Sequence, residues 1–174
     1  MSAQWFVMRD LKRPNAKIPT YKQLEDMGIE VFTPLLRRQN SRQEWVESPL
    51  IYGLLFVHDT REHLDPIVDK ILTLQYRFLP KRQHEPMVVS DTAMERFISA
   101  VNSTGSPHYY LPEEVTLQMY GRKIRMVGGP LHGYEGRLLT RRGSKTKRLL
   151  VELPGFLSGS VEVDPDYIQF LKEE

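Results

Sequence analysis

The sequence predicts an α+β domain followed by a small all-β domain. In residues 1–102, apolar strand-like runs alternate with amphipathic helical runs in the order β-α-β-β-α-β-α, which is typical of helices packed on a mainly antiparallel sheet. In residues 120–174, short strand-like runs are separated by glycine-rich or charged turns, which is typical of a small β-barrel. The segment between them, residues 103–119, is rich in Ser, Gly and Pro at its start and predicts a linker.

The first strand and helix follow from residue type and spacing. The run QWFVMR (4–9) combines aromatic and β-favouring residues and predicts a short buried strand. A helix is predicted to begin at or after Pro14 and to end at Gly28, because proline favours a helix start and glycine a helix stop. Its apolar residues at helical spacing are Ile18, Tyr21 and Leu24.

Two further strands are predicted on either side of a polar segment. IEVFTPLL (29–36) predicts the second strand, and the almost wholly apolar PLIYGLLFV (49–57) predicts a central third strand. The intervening RRQNSRQEWVES has no helical or strand period, so it predicts a long loop or a hairpin tip.

The remaining elements alternate between helix and strand. HLDPIVDKILTL (63–74) places its apolar residues on one helical face, and a strand is predicted around residues 76–79. Ser90 or Asp91 is predicted to cap a last helix, DTAMERFISAV. In the second domain the predicted strands are KIRMV, GRLLT, RLLVEL, SVEV and YIQFL.

Composition excludes several classes of protein. The 174 residues are 40% hydrophobic and 26% charged, with a net charge of +2, so the whole chain is not a polycation. The absence of cysteine excludes disulfides, thiolate zinc sites and a cysteine nucleophile. No run approaches the ~20 apolar residues of a membrane helix, and MSAQWFVMRD does not resemble a signal peptide. We therefore expect a soluble cytoplasmic protein without membrane contact, and a monomer.

No catalytic or metal-binding pattern is present in the sequence. His58 and His63 lack the i, i+4 spacing of a helical metal site, and the other three histidines form no cluster with them. There is no G-x-S-x-G elbow, and the carboxylates show no recognisable pairing for acid–base chemistry. We expect no enzymatic activity, no metal and no cofactor.

The stretch GGPLHGYEG (128–136) raises the question of a phosphate-binding loop. It lacks the Lys and Ser or Thr of a Walker loop, and its glycine spacing is not G-x-G-x-x-G. The following residues, RLLTRRG, are strand-like, whereas a dinucleotide fingerprint runs into a helix. We interpret the glycines as meeting backbone demands in a tight connection between strands.

The same stretch lies within a longer pattern. GRKIRMVGGPLHGYEGRL (121–138) resembles a KOW motif, in which a glycine precedes a hydrophobic strand, then Gly-Pro, a small loop and Gly-x-x-Gly. KOW motifs are shared by ribosomal proteins and transcription elongation proteins, so this motif alone leaves both classes open.

The first half of the chain resembles the N-terminal (NGN) domain of NusG-family transcription factors. Trp5-Phe6-Val7 resembles the family's W-Y-V opening, and Gly28 to Leu35 resembles its G-I-E-x-Y-x-P strand. Pro49 to Val57 resembles P-L-F-P-G-Y-L-F-V, and Pro86 to Asp91 resembles the family's entry to the last helix. The resemblance covers nearly the whole chain. It implies an NGN domain followed by an SH3-like KOW barrel, in a specialised paralogue of the RfaH or UpxY type.

The resemblance implies binding to the clamp helices of RNA polymerase and promotion of processive transcription. The positions that match the family's contact surface are Trp5, Ile18, Tyr21, Tyr52, Leu54 and Phe56. Each of them is also a candidate for the hydrophobic core. Tyr52 stands where the family has proline, and Leu54 stands where it has an aromatic residue, so the contact surface is expected to be reshaped.

Two basic segments are candidates for contact with nucleic acid. The edge between the second and third strands lies near upstream and non-template DNA in the family, and here it carries Arg37, Arg38, Arg42 and Trp45. A solvated charged hairpin is the alternative interpretation. Residues 120–174 carry ten Lys or Arg against seven Asp or Glu, with a cluster that includes Arg141, Arg142, Lys145, Lys147 and Arg148. That cluster is expected to meet nascent RNA or an acidic protein.

The KOW domain implies a further protein partner, which in the family is NusE or Rho. The matching positions are Leu131, Leu153 and Phe156. Pro154 and Phe156 depart from the family's Phe-Gly-Arg pattern, which places binding of NusE and Rho in doubt. The alternative to the whole assignment is a KOW-type RNA- or ribosome-binding protein without polymerase contact.

Overall fold

The chain forms two compact units, Met1–Asp91 and Thr92–Glu174. The computed structural model describes residues 2–13, 16–103, 106–140 and 146–172, without the side chain of Gln83.

The first unit contains nine short strands and two helices among its described residues. In chain order they are β1 (Gln4–Asp10), α1 (Thr20–Asp26), β2 (Glu30–Phe32), β3 (Leu35–Gln39), β4 (Trp45–Pro49), β5 (Leu55–Asp59), α2 (Arg61–Lys70), β6 (Leu74–Tyr76), β7 (Phe78–Leu79), β8 (Arg82–Pro86) and β9 (Val88–Val89). β2, β5, β1 and β6 lie side by side in an antiparallel sheet, and β9 also pairs with β1.

One hydrophobic core lies between this sheet and its two helices. Alternate residues of β1 and β5 supply one side of it, because successive side chains of a strand point to opposite faces. The buried core residues are Phe6, Met8, Tyr21, Leu24, Ile29, Leu55, Val57, Leu64 and Leu74. The helices are thereby fixed on one face of the sheet.

The helix ends have local causes. Helix α1 begins directly after Pro19, whose extended backbone precedes the first turn, and it is followed by Gly28 with a φ of +80°. Helix α2 begins after Thr60, whose side chain accepts a hydrogen bond from the backbone N–H of His63.

The region between α1 and β5 differs from its sequence prediction. The strand predicted over 29–36 is divided into β2 and β3, and the strand predicted over 49–57 begins only at Leu55. The polar segment between them forms the β3–β4 hairpin, which confirms the hairpin alternative. Residues 50–54 lie in a turn, so the predicted third strand is wrong over that part of its length.

The second unit is a helix and an antiparallel six-stranded sheet. Its elements are α3 (Asp91–Val101), β10 (His108–Tyr110), β11 (Tyr120–Met126), β12 (Glu135–Leu139), β13 (Arg148–Leu153), β14 (Leu157–Glu162) and β15 (Ile168–Phe170). The strand order is β10-β14-β13-β12-β11-β15. A Cβ at Gly159 would lie 3.2 Å from Cγ1 of Val101, so the glycine lets the end of α3 approach β14 closely.

The division of the chain differs from the predicted one in two ways. Helix α3, from Thr92 onward, belongs to the second unit, whereas the sequence placed it in a domain of residues 1–102. The predicted linker, 103–119, contains strand β10, which pairs with β14. The Ser, Gly and Pro content of that segment therefore does not prevent it from forming an edge strand, because the partner strand supplies its backbone hydrogen bonds.

Candidate partner-binding and nucleic-acid surfaces

The first unit carries exposed apolar side chains around the turn at residues 50–54. Tyr52 is 58% exposed and Ile18 is 56% exposed, and Leu11 and Leu50 are also exposed. The Tyr52 hydroxyl donates a hydrogen bond of 3.1 Å to the carbonyl oxygen of Leu11, which joins two of these segments. We call Leu11, Ile18, Leu50 and Tyr52 the Tyr52 patch.

The turn that presents Tyr52 is held by its neighbours. Gly53 has a φ of +83°, which glycine adopts without strain. Its carbonyl accepts hydrogen bonds from the Asp10 N–H and from the Arg77 guanidinium. The Thr33 hydroxyl donates a hydrogen bond of 2.9 Å to the carbonyl oxygen of Leu54. The patch therefore lies on a fixed turn.

Tyr21 lines a narrow groove beside the patch, together with Pro19, Pro49 and Tyr52. It is 4% exposed, and its hydroxyl has no hydrogen-bond partner among the described residues. Burial raises the pKa of Tyr21, with smaller contributions from Glu47 and Glu25. The groove thus holds a buried polar atom whose hydrogen-bonding capacity is unused within the described chain.

The structure separates the six predicted polymerase contacts into two groups. Ile18 and Tyr52 are exposed. The other four are buried as the chain stands here: Trp5, Tyr21, Leu54 and Phe56. Trp5 packs against the His58 ring at 5.0 Å between centroids. The prediction that these four residues belong to an exposed contact surface is therefore corrected, because other residues of the protein pack over their side chains.

The β3–β4 hairpin brings two of the predicted nucleic-acid residues together. The guanidinium of Arg37 lies over the ring of Trp45, 5.2 Å from its centroid, and both side chains are exposed. In the strand register Arg37 faces Glu47 and Gln39 faces Trp45, so all four share one face.

The other two arginines of this segment are placed differently. Arg38 pairs with Val46 and lies on the opposite face of the hairpin from Arg37. Arg42 lies in the tip of the hairpin, where its backbone N–H donates a hydrogen bond of 2.9 Å to the side-chain oxygen of Asn40. Adjacent positions in the sequence thus point to two different surfaces.

The stretch 128–136 is a strand connection. Gly128, Gly129 and Gly133 have φ values of +97°, +71° and +87°. The Gly133 N–H donates a hydrogen bond of 2.7 Å to the carbonyl oxygen of Met126. A Cβ on Gly128 would lie 2.9 Å from the ring of Tyr167, and one on Gly129 would lie 3.0 Å from it. The glycines therefore also make room for a tyrosine near the end of the chain.

The basic cluster of the second unit is only partly a surface. Arg148 is buried, and its guanidinium donates to the hydroxyl and carbonyl of Ser160 and to the carbonyl of Ser106. Its predicted role in nucleic-acid binding is corrected, since these bonds hold β13, β14 and the segment before β10 together. Lys147 is exposed. Arg141, Arg142 and Lys145 lie outside the described residues.

The predicted KOW partner residues are mostly internal. Leu131 and Leu153 are buried, and Phe156 is partly buried beside the turn between β13 and β14. Leu131 and Leu153 are therefore corrected from surface to core positions, since apolar side chains at turns can close the end of a sheet.

Helix α3 and the sheet enclose a groove of about 1010 Å³ in the second unit. The Arg96 guanidinium lies 4.7 Å from the centroid of the Tyr134 ring on one of its walls, and burial raises the pKa of Tyr134. Its charged lining residues are Glu95, Arg96, Lys123, Glu135, Arg137 and Glu152. The equal mixture of both signs does not select a polyanion.

Several surface residues were not predicted from the sequence. Leu11 and Leu50 belong to the Tyr52 patch, and Arg122 lies over the exposed ring of Phe170 at 4.2 Å. Leu11 precedes the predicted first helix and Phe170 ends a predicted strand, so neither carries a signal in the local pattern. Their exposure follows only from the packing of distant segments.

The described ranges contain neither a candidate membrane helix nor a candidate metal cluster. No helix there is long and apolar enough to cross a membrane. No group of three or more His, Asp or Glu side chains within those ranges is placed to hold a metal ion.

Comparison with known proteins finds similarity to solved structures. No protein-family model matches the chain, and no curated protein matches it. A solved structure from Thermotoga maritima, described as "Domain interaction in Thermotoga maritima NusG", is similar at 16% sequence identity, with 99% of each chain covered and a TM-score of 0.48.

Proposed function

We propose that this chain is a transcription elongation and antitermination factor of the NusG type. Its first unit, an NGN domain, binds the clamp helices of RNA polymerase and promotes processive transcription. Its second unit, a KOW domain of the SH3-like barrel type, recruits a further partner. The protein acts in the cytoplasm as a monomer, without a cofactor, and is a specialised paralogue of the RfaH or UpxY type.

The Tyr52 patch is the observation that carries this proposal. Exposed apolar clusters with an aromatic anchor are typical of protein-binding surfaces. Leu50 and Tyr52 lie within the PLIYGLLFV segment that resembles the family's contact strand, and Ile18 lies at another matching position. Resemblance and exposure thus coincide at Ile18, Leu50 and Tyr52.

The surroundings of the patch favour a partner with polar groups beside its apolar ones. Lys12 and Arg13 line the groove next to Tyr52, and the unused hydroxyl of Tyr21 is buried in it. A helical partner that places an apolar side chain on Tyr52 and an acceptor toward the groove would use both features. The chemistry is binding alone: the factor stabilises whichever state of the polymerase it binds more tightly, which is the elongating state.

The Arg37–Trp45 pair supports contact with DNA near the polymerase. An arginine can contact a phosphate while an unpaired base stacks on the indole. The proposed ligand of this face is the upstream or non-template DNA strand, the position that the NusG resemblance implies.

Binding of the full chain to core RNA polymerase tests the proposal. Wild-type protein is expected to co-purify with the polymerase and to shorten pausing in transcription across a pause site. The variant Ile18→Ser with Tyr52→Ser is expected to lose both properties, because it removes the centre of the patch. Leu72→Ser is the matched control, since Leu72 is 83% exposed in the same unit and lies outside the patch.

Two results would contradict the polymerase proposal. One is a wild-type chain that does not bind core polymerase, and the other is a double variant that binds as well as Leu72→Ser. A chain that binds RNA or ribosomes but no polymerase would instead support the alternative of a KOW-type RNA- or ribosome-binding protein.

A further inference from the structure

A second groove of the second unit, of about 430 Å³, differs from the first in its chemistry. It is lined by Gly121, Arg122, Leu138, Leu139, Thr140, Thr146, Lys147 and Phe170. Two of these are cationic, one is aromatic, two carry hydroxyls and none is acidic. The groove therefore has a single sign of charge, unlike the mixed groove beside α3.

Two side chains of this groove form a cation–π pair. The Arg122 guanidinium lies 4.2 Å from the centroid of the Phe170 ring, a closer approach than that of Arg37 to Trp45. Phe170 is 47% exposed and lies on the edge strand β15, where it pairs with the buried Ile124 of β11. The sheet thus holds a flat aromatic and cationic surface open to solvent.

Among the described residues, the cations of this groove form no ion pair with a carboxylate of the protein. Among the described residues, neither Arg122 nor Lys147 has a carboxylate oxygen within 4.0 Å. Other arginines of the unit are committed: Arg125 pairs with Glu135, and Arg148 is bonded to Ser160. A cation without an internal carboxylate remains available for an external anion.

The charge of the described lining favours one class of ligand. Its two charged residues, Arg122 and Lys147, are both cations, and the exposed Lys172 follows Phe170 by two positions. A polyanion is therefore favoured over a protein surface of mixed charge.

We propose that this groove binds single-stranded nucleic acid. A base stacks on the outer plane of the Arg122 guanidinium, which Phe170 supports from beneath, and Lys147 contacts a neighbouring phosphate. Bases stack on arginine planes and aromatic rings in single-stranded complexes, and the stacked face is hidden in a duplex. This activity requires no polymerase and does not depend on the proposed contact through the Tyr52 patch.

Fluorescence anisotropy with labelled oligonucleotides tests the proposal on the full chain. The probes are a twelve-residue oligouridylate, the matching oligothymidylate and a duplex of equal length. Wild-type protein is expected to bind either single strand more tightly than the duplex. Tighter binding of the uridylate would identify RNA as the preferred source, and equal binding of the two would identify single strands in general.

Matched variants separate the stack from general charge. Arg122→Gln is expected to weaken binding about tenfold, because it removes the planar cation on which the base stacks. Arg125→Gln removes the same charge from the same strand, where the arginine is paired with Glu135, and is expected to have less than a threefold effect. Phe170→Leu is expected to weaken binding at least fivefold, whereas Phe170→Tyr retains it.

The outcomes that overturn the proposal are distinct from those of the polymerase test. Equal effects of Arg122→Gln and Arg125→Gln would show that binding depends on general charge attraction and not on this groove. Duplex binding as tight as single-strand binding would show the same. No binding of any probe at low salt would leave it as a candidate protein-binding face. Ile18→Ser with Tyr52→Ser is expected to bind oligonucleotides like wild type, and thermal unfolding of each variant verifies its folding.

Discussion

The ring of Tyr167 lies against the backbone of Gly128, so closely that a Cβ on that glycine would be 2.9 Å from the ring. The contact joins the turn after β11 to the segment before β15. In the same region, the Val127 N–H donates a hydrogen bond of 2.7 Å to the carbonyl oxygen of Tyr167. The glycine therefore serves both a backbone conformation and a packing contact.

Gly128→Ala is expected to destabilise the second unit by about 2–4 kcal/mol. The left-handed backbone costs ~1–3 kcal/mol for a residue with a Cβ, and the crowding against Tyr167 adds to it. Gly133→Ala is the matched control, because its φ is +87° but no atom lies within 4 Å of the added Cβ. Urea unfolding measures both, and equal losses would show that the Tyr167 contact contributes nothing.

Tyr21→Phe is expected to stabilise the protein by about 1 kcal/mol. It removes a buried hydroxyl that has no hydrogen-bond partner among the described residues, and so removes a desolvation cost. Tyr52→Phe is the comparison, since it deletes an exposed hydroxyl that donates to Leu11 and is expected to be neutral or slightly destabilising. A loss of stability in Tyr21→Phe would mean that its hydroxyl is bonded in solution.

Arg148→Lys is expected to cost about 2–3 kcal/mol of stability. Lysine keeps the charge but cannot reproduce the guanidinium bonds to both oxygen atoms of Ser160 and to Ser106. The adjacent Lys147→Ala is expected to change stability by less than about 0.5 kcal/mol because Lys147 is exposed. Chemical denaturation compares the two, and a neutral Arg148→Lys would contradict the structural role.

The stability of the protein is expected to fall above pH 10, in part through Tyr109. Burial raises the pKa of Tyr109 to about 12 in the folded chain, whereas an unfolded tyrosine titrates near about 10. The folded state then holds a proton that the unfolded state releases, so stability is present below pH ~10 and declines between ~10 and ~12. Tyr109→Phe should reduce that slope by at most about 1.4 kcal/mol per pH unit, and an unchanged slope would argue against a shifted group.

Arg37→Gln and Trp45→Ala are expected to weaken binding to a DNA fork several-fold without changing the melting temperature. Both residues are exposed and lie on one face of the hairpin, where they form a joint surface. Arg38→Gln is the matched control, because Arg38 neighbours Arg37 in sequence but lies on the other face. Equal losses in Arg37→Gln and Arg38→Gln, measured by anisotropy, would indicate charge attraction without a defined face.

Much of the local structure could be predicted because it depends on neighbouring residues. The strand at QWFVMR and the helix DTAMERFISAV lie where their patterns placed them, as β1 and α3. The division into β2 and β3 could not be predicted, since one apolar run covers β2 and the start of β3, and the break depends on pairing with β5 and β4. β10 escaped prediction because its hydrogen bonds come from β14, which is distant in sequence.

The candidate surfaces were less predictable than the elements that carry them. The apolar residues of the contact segment were identified together, but Tyr52 is exposed and Phe56 is buried. Whether an apolar side chain faces solvent depends on which segment packs over it, and this cannot be predicted from the residue type alone.

By itself, the sequence determined where strand β1 and helix α3 form, where glycine is needed, and that no cysteine chemistry is available. The tertiary structure decided which cations are free to bind. Arg148 is buried because β13 pairs with β14 and places it on Ser160, whereas Arg122 lies at an open edge beside Phe170. The same side chain is structural in one place and a candidate ligand contact in the other, because burial forces a guanidinium to find its partners within the protein.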